Sequence, residues 1–347
     1  MTNSRWHLLA MAIPIHHHDT NSLSIAGLGW EGVWRRTMDD ALTRLAQLTR
    51  VHPRLDLLCR FADSWALPHD PEPDGAAPFH IVSRGSCTLE LPDQRRSLPL
   101  VAGDVVVLPH GARHTMRSDT APPRHARPTV LTESHNGAVT VRTNADGEEP
   151  SCEVICGHFR FEQARSNPLL AALPDALHLA AGQDAALARL GLLVEAIRAE
   201  LQEARPGAAS IAANLASALF TMIIRAHMDQ AEDLRGILAL LGNPTTGRAV
   251  VRMLEEPARA WTLEELAAAG HTSRAGLVRA FRKQADVAPL GLLAQLRFQA
   301  AAQLLTSTEL PVSEVGVRVG YQAEEAFSRA FKRHFGVAPS EFRHAGV

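Results

Sequence analysis

Apolar residues follow two different spacings along this chain, and each spacing predicts a different kind of structure. Between residue 55 and about residue 161, short alternating or apolar runs such as 79–82 and 87–91 lie between Gly, Pro and Asp residues, as in strands joined by turns. After Pro168 the apolar positions recur at helical spacing. The pattern therefore predicts an α+β multidomain chain with a β-barrel first and helices after it.

Two amphipathic helices are predicted in the stretch 169–235, on either side of a break at 205–207. Each helix places its apolar residues on one stripe, which identifies it as a packed helix. The stripes consist of Leu187, Leu190, Val194, Ile197 and Leu201 on the first helix and of Ile211, Leu215, Leu219, Met222 and Ile223 on the second. Such a pair could mediate dimerisation or cover the barrel, and the pattern does not distinguish between the two.

The segment 236–347 contains two helix-turn-helix units in tandem. In the first unit, Thr262 and Glu265 form a capping box, and Ser273 begins a second helix after a turn at 271–272. Leu277, Ala280 and Phe281 are predicted to face the core of this unit. An apolar helix over about 290–305, roughly 24 Å long, joins the two units.

In the second unit, Gly320 and Tyr321 form a tight turn, and Gly336 and Pro339 end the helix that follows. Its buried face is predicted to consist of Ala326, Phe327, Ala330, Phe331 and either His334 or Phe335. A short helix with a polar outer face is the element that enters a DNA major groove, where successive turns repeat at about 34 Å. The two units predict a DNA-binding domain.

Charge is distributed as this prediction requires. From Gly236 onward there are 13 Lys and Arg residues against 10 Asp and Glu residues, a balance of +3. The whole chain carries −2, so the remainder carries −5. A positive excess favours contact with phosphates, but this one is modest, and we expect two copies to bind DNA together.

Residues 240–343 strongly resemble the DNA-binding domain of the AraC/XylS family of bacterial transcription regulators. The resemblance implies binding to double-stranded DNA, contact with RNA polymerase, a homodimer, and activation as the default outcome. It places base contacts on Ala275, Val278, Arg279, Glu325 and Arg329, with Glu324 and Ser328 as neighbours. Phosphate contacts are expected at Arg274, Arg282, Lys283, Lys332 and Arg333.

The segment 103–114 matches the second cupin motif, G-x5-P-x-G-x2-H, so residues 38–168 resemble a cupin-like sensor domain. The first cupin motif is incomplete, since Pro78 stands where the family has Glu. His80 and His114 are the candidate metal ligands, with His69 and His110 as further candidates, for copper or zinc. A cupin enzyme would need a complete ligand set and a substrate pocket, and fusion to a DNA reader argues against one, so no catalytic residue is predicted.

Residues 38–347 as a whole resemble a narrower group of AraC-type regulators with an N-terminal cupin, which includes a reactive-chlorine-sensing activator. The resemblance implies redox sensing through Cys59 with Cys152 or Cys156. An oxidised thiol can condense with a neighbouring thiol, and Arg60, His158 and Arg160 are nearby cations expected to lower a thiol pKa. Cys87 is interpreted as a small buried hydrophobe. A metal or a small organic effector in the barrel remains an alternative signal.

Residues 1–37 show no periodicity and are interpreted as a disordered extension or the product of an upstream start codon, so that His16, His17 and His18 form a surface run. No run reaches eighteen uninterrupted apolar residues, and no signal peptide is recognised. We therefore expect a cytoplasmic protein, in which structural disulfides are not expected.

Overall fold

A computed structural model of the 347-residue chain describes residues 41–62, 64–119, 131–145, 147, 149–182 and 185–345. The predicted extension 1–37, including the three consecutive histidines, lies outside the described residues. The side-chain surroundings of residues 185–188, which include Leu187, are likewise outside the description.

Two sheets face each other and form the predicted cupin barrel. The strands are β1 (Val51–Phe61), β2 (Ala66–His69), β3 (Ala76–Arg84), β4 (Ser86–Leu91), β5 (Arg96–Val101), β6 (Val105–Val107), β7 (His114–Arg117), β8 (Thr132–His135), β9 (Thr140–Thr143), β10 (Cys152–Phe161) and β11 (Leu177–Leu179). One sheet has the order β11-β6-β3-β10-β1-β9-β8, and the other has the order β2-β7-β4-β5. Because β11 pairs with β6, the sheet extends past residue 168, where the sequence wrongly predicted a change to helix.

The strand β10 is central to the larger sheet, between β1 and β3. Its side chains alternate between two cores, as the pleat of a strand requires. The barrel core contains Cys152, Val154 and Cys156. Ile155, Phe159 and Phe161 lie in the core on the other side of the sheet, where the helices pack.

Among the described residues, one α-helix precedes the strands and ten follow them. The helices are α1 (41–49), α2 (Ala185–Glu203), α3 (Ala208–Gln230), α4 (Gly236–Gly242), α5 (Pro244–Glu255), α6 (Leu263–Ala269), α7 (Arg274–Ala285), α8 (Pro289–Ser307), α9 (Val312–Arg318), α10 (Glu324–Phe335) and α11 (Pro339–Ala345). The prediction of a sheet-rich domain followed by an all-α domain with two helix-turn-helix units is confirmed.

The helices α2 and α3 pack against each other and cover the larger sheet. On α2, the stripe from Leu190 to Leu201 is buried as predicted. On α3, Phe220 contacts Phe159 and Phe161 of β10 with ring centroids 4.9 and 5.6 Å apart. The prediction that Ile211 belongs to the buried stripe is wrong, because this side chain is 44% exposed. By length and composition alone α3 could cross a membrane, but here it is a helix packed on a sheet.

Side-chain amides connect the barrel to the region of the two helix-turn-helix units. The Asn167 side chain is fully buried, donates to the carbonyls of Thr49 and Glu162, and accepts from two backbone amides that follow it. Beside it, the Gln299 amide on α8 donates to the Ser166 carbonyl at 2.9 Å. The Gln303 amide, one turn along α8, donates to the last carbonyls of α1. A buried amide that is fully bonded fixes the segments it joins, so α8 is held in one position on the barrel.

The hydrophobic core on the helical side of the sheet is continuous with that of the first helix-turn-helix unit. One cluster of buried residues runs from α1 and the larger sheet through α2 and α3 to α4–α7 and the first half of α8. The second unit has a separate core that contains the second half of α8 together with α9, α10 and α11. The first unit is therefore part of the barrel's helical layer, whereas the second is joined to it through α8.

Candidate functional site

The helices α7 and α10 are two copies of one element, 50 residues apart. Leu277 and Phe327 occupy the same position in the two helices, as do Phe281 and Phe331, and all four side chains are fully buried. The residue after each helix has a left-handed backbone, with φ of 48° at Asp286 and 83° at Gly336. Each is followed three residues later by a proline that starts the next helix. Because the buried positions and the helix ends match, α7 and α10 expose equivalent faces.

The turn of the second unit requires glycine. The φ of Gly320 is +91°, which disfavours any residue with a side chain. A Cβ at this position would lie 2.3 Å from the Ala258 carbonyl oxygen, a backbone atom that cannot move aside. In the first unit the predicted capping box is confirmed, with Thr262 and Glu265 bonded in both directions.

The outer faces of α7 and α10 carry exposed arginines at equivalent positions. Arg279 and Arg329 are both exposed, six residues after their N-caps, and form no ion pair with any residue that the structure describes. Arg274, by contrast, pairs with Glu264 of α6 at 2.5 Å, and Arg282 lies 3.6 Å from the Asp286 carboxylate. The remaining predicted contacts that are exposed are Ala275, Lys283, Glu324, Glu325, Lys332 and Arg333, while Val278 and Ser328 are half-buried.

Two predictions about the buried faces of these helices need correction. Ala326, predicted to face the core, is exposed, because it lies one position before Phe327, which occupies the inner face. Ala280 is half-buried rather than buried. The helix α8 between the units has 19 residues, about 28 Å, which is close to the length predicted.

Three histidines meet inside the barrel. His69 on β2 and His114 on β7 are register partners in the smaller sheet, and their rings stack with centroids 4.4 Å apart. His80 on β3 reaches them from the larger sheet, with its Nε2 2.7 Å from Nε2 of His114. One nitrogen from each ring lies within 4.8 Å of the others. The fourth candidate, His110, instead bonds to the Leu173 carbonyl.

Burial keeps these imidazoles neutral. Burial and the neighbouring His114 lower the pKa of His69 to about 3, and burial lowers the pKa of His80 and of His114 as well. Neutral rings fix the hydrogen-bond directions. His114 donates from Nδ1 to the Ala112 carbonyl at 2.8 Å, so its Nε2 accepts the proton on Nε2 of His80. The Nδ1 of His80 is then an acceptor, 3.1 Å from the Cys156 sulfur.

The four cysteines form two contacting pairs inside the same barrel. The thiols of Cys59 and Cys156 are neighbours on the paired strands β1 and β10, and the thiols of Cys87 on β4 and Cys152 on β10 are neighbours in the same core. All four are free and buried. The interpretation of Cys87 as an isolated hydrophobe therefore missed its thiol neighbour, which only the pairing of the sheets brings close.

The expectation that nearby cations activate these thiols is wrong for Cys156. The contact with Cys59 and burial both raise the pKa of the Cys156 thiol well above its usual range. The His158 imidazole pairs with carboxylates instead, since its ring lies 2.5 Å from the Asp56 carboxylate and 3.1 Å from Glu72.

Comparison with known proteins matches one family to the first part of the chain and another family to the last part. A family described as a cupin matches residues 40–229, and a family described as a helix-turn-helix domain matches residues 266–345. The chain is similar to the RCS-specific HTH-type transcriptional activator RclR of Escherichia coli, at 31% identity over 88% of this chain and 97% of the relative.

Two further proteins are similar over different lengths. The HTH-type transcriptional regulator MtrA of Neisseria gonorrhoeae is 28% identical over 88% of this chain and 99% of its own length. The crystal structure of the DNA-binding domain of AdpA, in complex with a target DNA, is 32% identical over 30% of this chain and 92% of that domain, with a TM-score of 0.29.

The ion pairs of His158 predict a pH-dependent stability. The hydrogen bond to Asp56 and the one to Glu72 raise the pKa of this imidazole in the folded state. A histidine whose pKa is higher in the folded state than in the unfolded state stabilises the fold fully at pH values below its unfolded pKa of about 6.5. This contribution to stability is lost as the pH rises through the folded-state pKa. We expect the urea midpoint to fall from pH about 6 to about 9, and the fall to be smaller in His158→Gln. An equal fall in both proteins would contradict this assignment.

Proposed function

The chain belongs to the AraC-type transcription regulators with an N-terminal cupin domain, and we propose that α7 and α10 read its operator while the Cys59–Cys156 pair senses an oxidant. The observation that supports the DNA-reading assignment is the pair of exposed arginines at equivalent positions on the two helices. The observation that supports the sensing assignment is the contact between two thiols on neighbouring strands.

Arg279 and Arg329 suit guanine, which offers two acceptors in the major groove. Neither guanidinium has an ion partner among the described residues, so binding to DNA does not cost the free energy of breaking an ion pair. Glu325 is exposed in the first turn of α10, where it can accept from a cytosine amino group. Ala275 and Val278 contribute apolar contacts, with Glu324 and Ser328 beside the base contacts of the second unit.

Basic residues at the ends of the two helices are assigned to phosphates. Lys283, Lys332 and Arg333 are exposed in the last turns of their helices. Arg274 and Arg282 would exchange their present carboxylate partners for phosphates, which have similar acceptor geometry. Such contacts set the register of the protein on the duplex and do not read sequence.

Oxidation would convert the thiol pair to a disulfide. Hypochlorous acid takes two electrons from the Cys156 thiol, giving a sulfenic acid with release of a proton and chloride. The Cys59 thiol then attacks this sulfur, forming the S–S bond and releasing water. The chemistry matches what is named for the similar E. coli activator, which is specific for reactive chlorine species. The raised pKa of Cys156 keeps its thiolate fraction small, which lowers its reactivity toward weaker oxidants.

A change on β10 has a short route to α8. The strand leads through the residues after Phe161 into the turn that holds Ser166, which accepts from Gln299 of α8. A disulfide between β1 and β10 shortens their separation on the barrel side, and the same strands carry Leu58 and Ile155 into the helical core. We infer that oxidation alters the position of α8 on the barrel and thereby the spacing between α7 and α10.

A second copy of the chain is proposed to dock on the outer face of α2 and α3. Leu192 on α2 is 73% exposed and Ile211 on α3 is 44% exposed, so each helix carries an apolar side chain outside the core. Two DNA-binding regions in one dimer compensate for the modest positive charge of each. We propose activation through contact with RNA polymerase as the outcome.

Removing Arg329 should relax sequence recognition. We expect Arg329→Ala to lose about 1–3 kcal/mol of binding and to lose preference at one base position, and Arg279→Ala to do the same at another position. Lys332→Ala should weaken every sequence alike and lower the salt slope by about 1. The measurement is binding to a library of operator variants at fixed salt.

The matched control for these variants is Arg318→Ala. Arg318 is an exposed arginine of α9 that already pairs with Glu314, and its removal should leave binding nearly unchanged. If Arg329→Ala keeps the base preference of the unmodified protein, α10 does not enter the groove as proposed.

Brief hypochlorite treatment of the reduced protein should change operator affinity reversibly. Cys59→Ser and Cys156→Ser should each abolish the change, since each removes one partner of the disulfide. Cys87→Ser and Cys152→Ser are matched controls from the second thiol pair and should retain the response. Peptide mass spectrometry should find Cys59 linked to Cys156, and a response that persists in Cys156→Ser would rule out this pair.

Placing a charge on the exposed face of α2 should separate the dimer. Leu192→Asp should weaken self-association at least tenfold, about 1.4 kcal/mol, as measured by sedimentation velocity. Val101→Asp, at a 51% exposed position on β5, is the control and should have no effect. Equal self-association in both variants would place the interface elsewhere.

A further inference from the structure

We propose that His69, His80 and His114 bind one late first-row transition-metal ion, zinc or copper, between the two sheets of the barrel. This site goes beyond the proposed function, because neither DNA binding nor thiol oxidation requires a metal. The motif residues of a cupin supply only His114 of the three. The other two come from strands that the motif does not specify.

The position of the three rings follows from the pairing of the strands. His69 and His114 are opposite each other on β2 and β7, and His80 approaches from β3 in the other sheet. The ligand nitrogens all lie within 4.8 Å of one another. An ion with bonds of about 2.0–2.1 Å to three tetrahedral nitrogens holds them about 3.3 Å apart, so the 2.7 Å contact of His80 and His114 would open by roughly 0.6 Å.

Nε2 of His69 is the observation that points to a ligand. This nitrogen is buried and has no hydrogen-bond partner among the residues that the structure describes. Leaving a buried nitrogen without a partner forfeits the hydrogen bond that it had with water, so such a nitrogen is seldom retained without compensation. Coordination to a cation shared with His80 and His114 supplies that compensation.

The second nitrogen of two rings is held by the protein, as is usual for metal-binding histidines. His114 donates from Nδ1 to the Ala112 carbonyl, which leaves the Nε2 lone pair directed at the other rings. The Nδ1 of His80 faces the Cys156 sulfur at 3.1 Å. When Nε2 of His80 binds the ion, its proton has to leave that nitrogen, and Nδ1 becomes the donor to this sulfur. The sulfur is therefore behind the ring and orients it, and it is not itself a ligand.

The chemistry of the donor set selects the class of metal. Three imidazoles without a carboxylate suit zinc and copper, whereas magnesium and calcium prefer oxygen ligands. Zinc would complete a tetrahedral set with one solvent molecule, and Cu(I) is satisfied by the three nitrogens.

The test is metal binding to the full-length protein, reduced and stripped with a chelator. All variants carry His16→Ala, His17→Ala and His18→Ala, because three consecutive histidines bind these metals by themselves. Titration with Zn²⁺ and, without oxygen, with Cu(I), each against a chromophoric competitor, should show one ion per chain. His69→Ala, His80→Ala and His114→Ala should each lose it, and His110→Ala, which alters a nearby histidine outside the cluster, should retain it.

Cobalt substitution and Cys156→Ser distinguish the ligands from the orienting group. The Co²⁺ spectrum should indicate a tetrahedral nitrogen site without a sulfur-to-cobalt band, and Cys156→Ser should keep the stoichiometry while weakening affinity about 10-fold. A sulfur-to-cobalt band, or one ion still bound to the triple variant His69→Ala, His80→Ala and His114→Ala, would overturn the proposal. None of these readouts uses DNA or an oxidant, so their failure leaves the proposed function untouched.

Discussion

Successive residues of β10 face opposite sides of the larger sheet, and this alternation joins the barrel interior to the helices that hold the DNA-binding region. Cys156 is inside the barrel, and the residue before it, Ile155, packs with the helices. The barrel core and the helical core are therefore contacted by adjacent residues of one strand. A displacement of β10 by even a fraction of a strand spacing changes both cores, because packed interiors do not deform continuously.

Polar groups in the barrel interior are tolerated because a single direction of hydrogen bonding satisfies them. The carbonyl of Ala112 accepts from His114, which accepts from His80, which lies against the Cys156 thiol. Each neutral imidazole donates at one nitrogen and accepts at the other, and the Ala112 carbonyl, which can only accept, fixes the direction of the row. The proposed thiol oxidation and the proposed metal binding would both act on this row, and His80 would take part in both.

The contacts of α8 determine how far such a change extends. Its first half belongs to the core shared with the barrel, and its second half belongs to the core of the second helix-turn-helix unit. The amides of Gln299 and Gln303 hold it to the turn after β10 and to the end of α1. Since α7 precedes α8 and α10 follows it, the position of α8 determines how the outer faces of α7 and α10 lie relative to each other.

The sequence by itself determined the fold class, the two helix-turn-helix units and, Ala326 excepted, the residues on their outer faces, because these depend on spacing within single helices and turns. Capping at Thr262 and the glycine turn at Gly320 are local in the same way. What only the tertiary structure decided is which distant side chains meet. The partner of Cys59 is Cys156 and not Cys152, Cys87 has a thiol neighbour, and His69 rather than His110 joins His80 and His114. Those contacts depend on strand register and on how two sheets face each other, and no spacing along one strand specifies either.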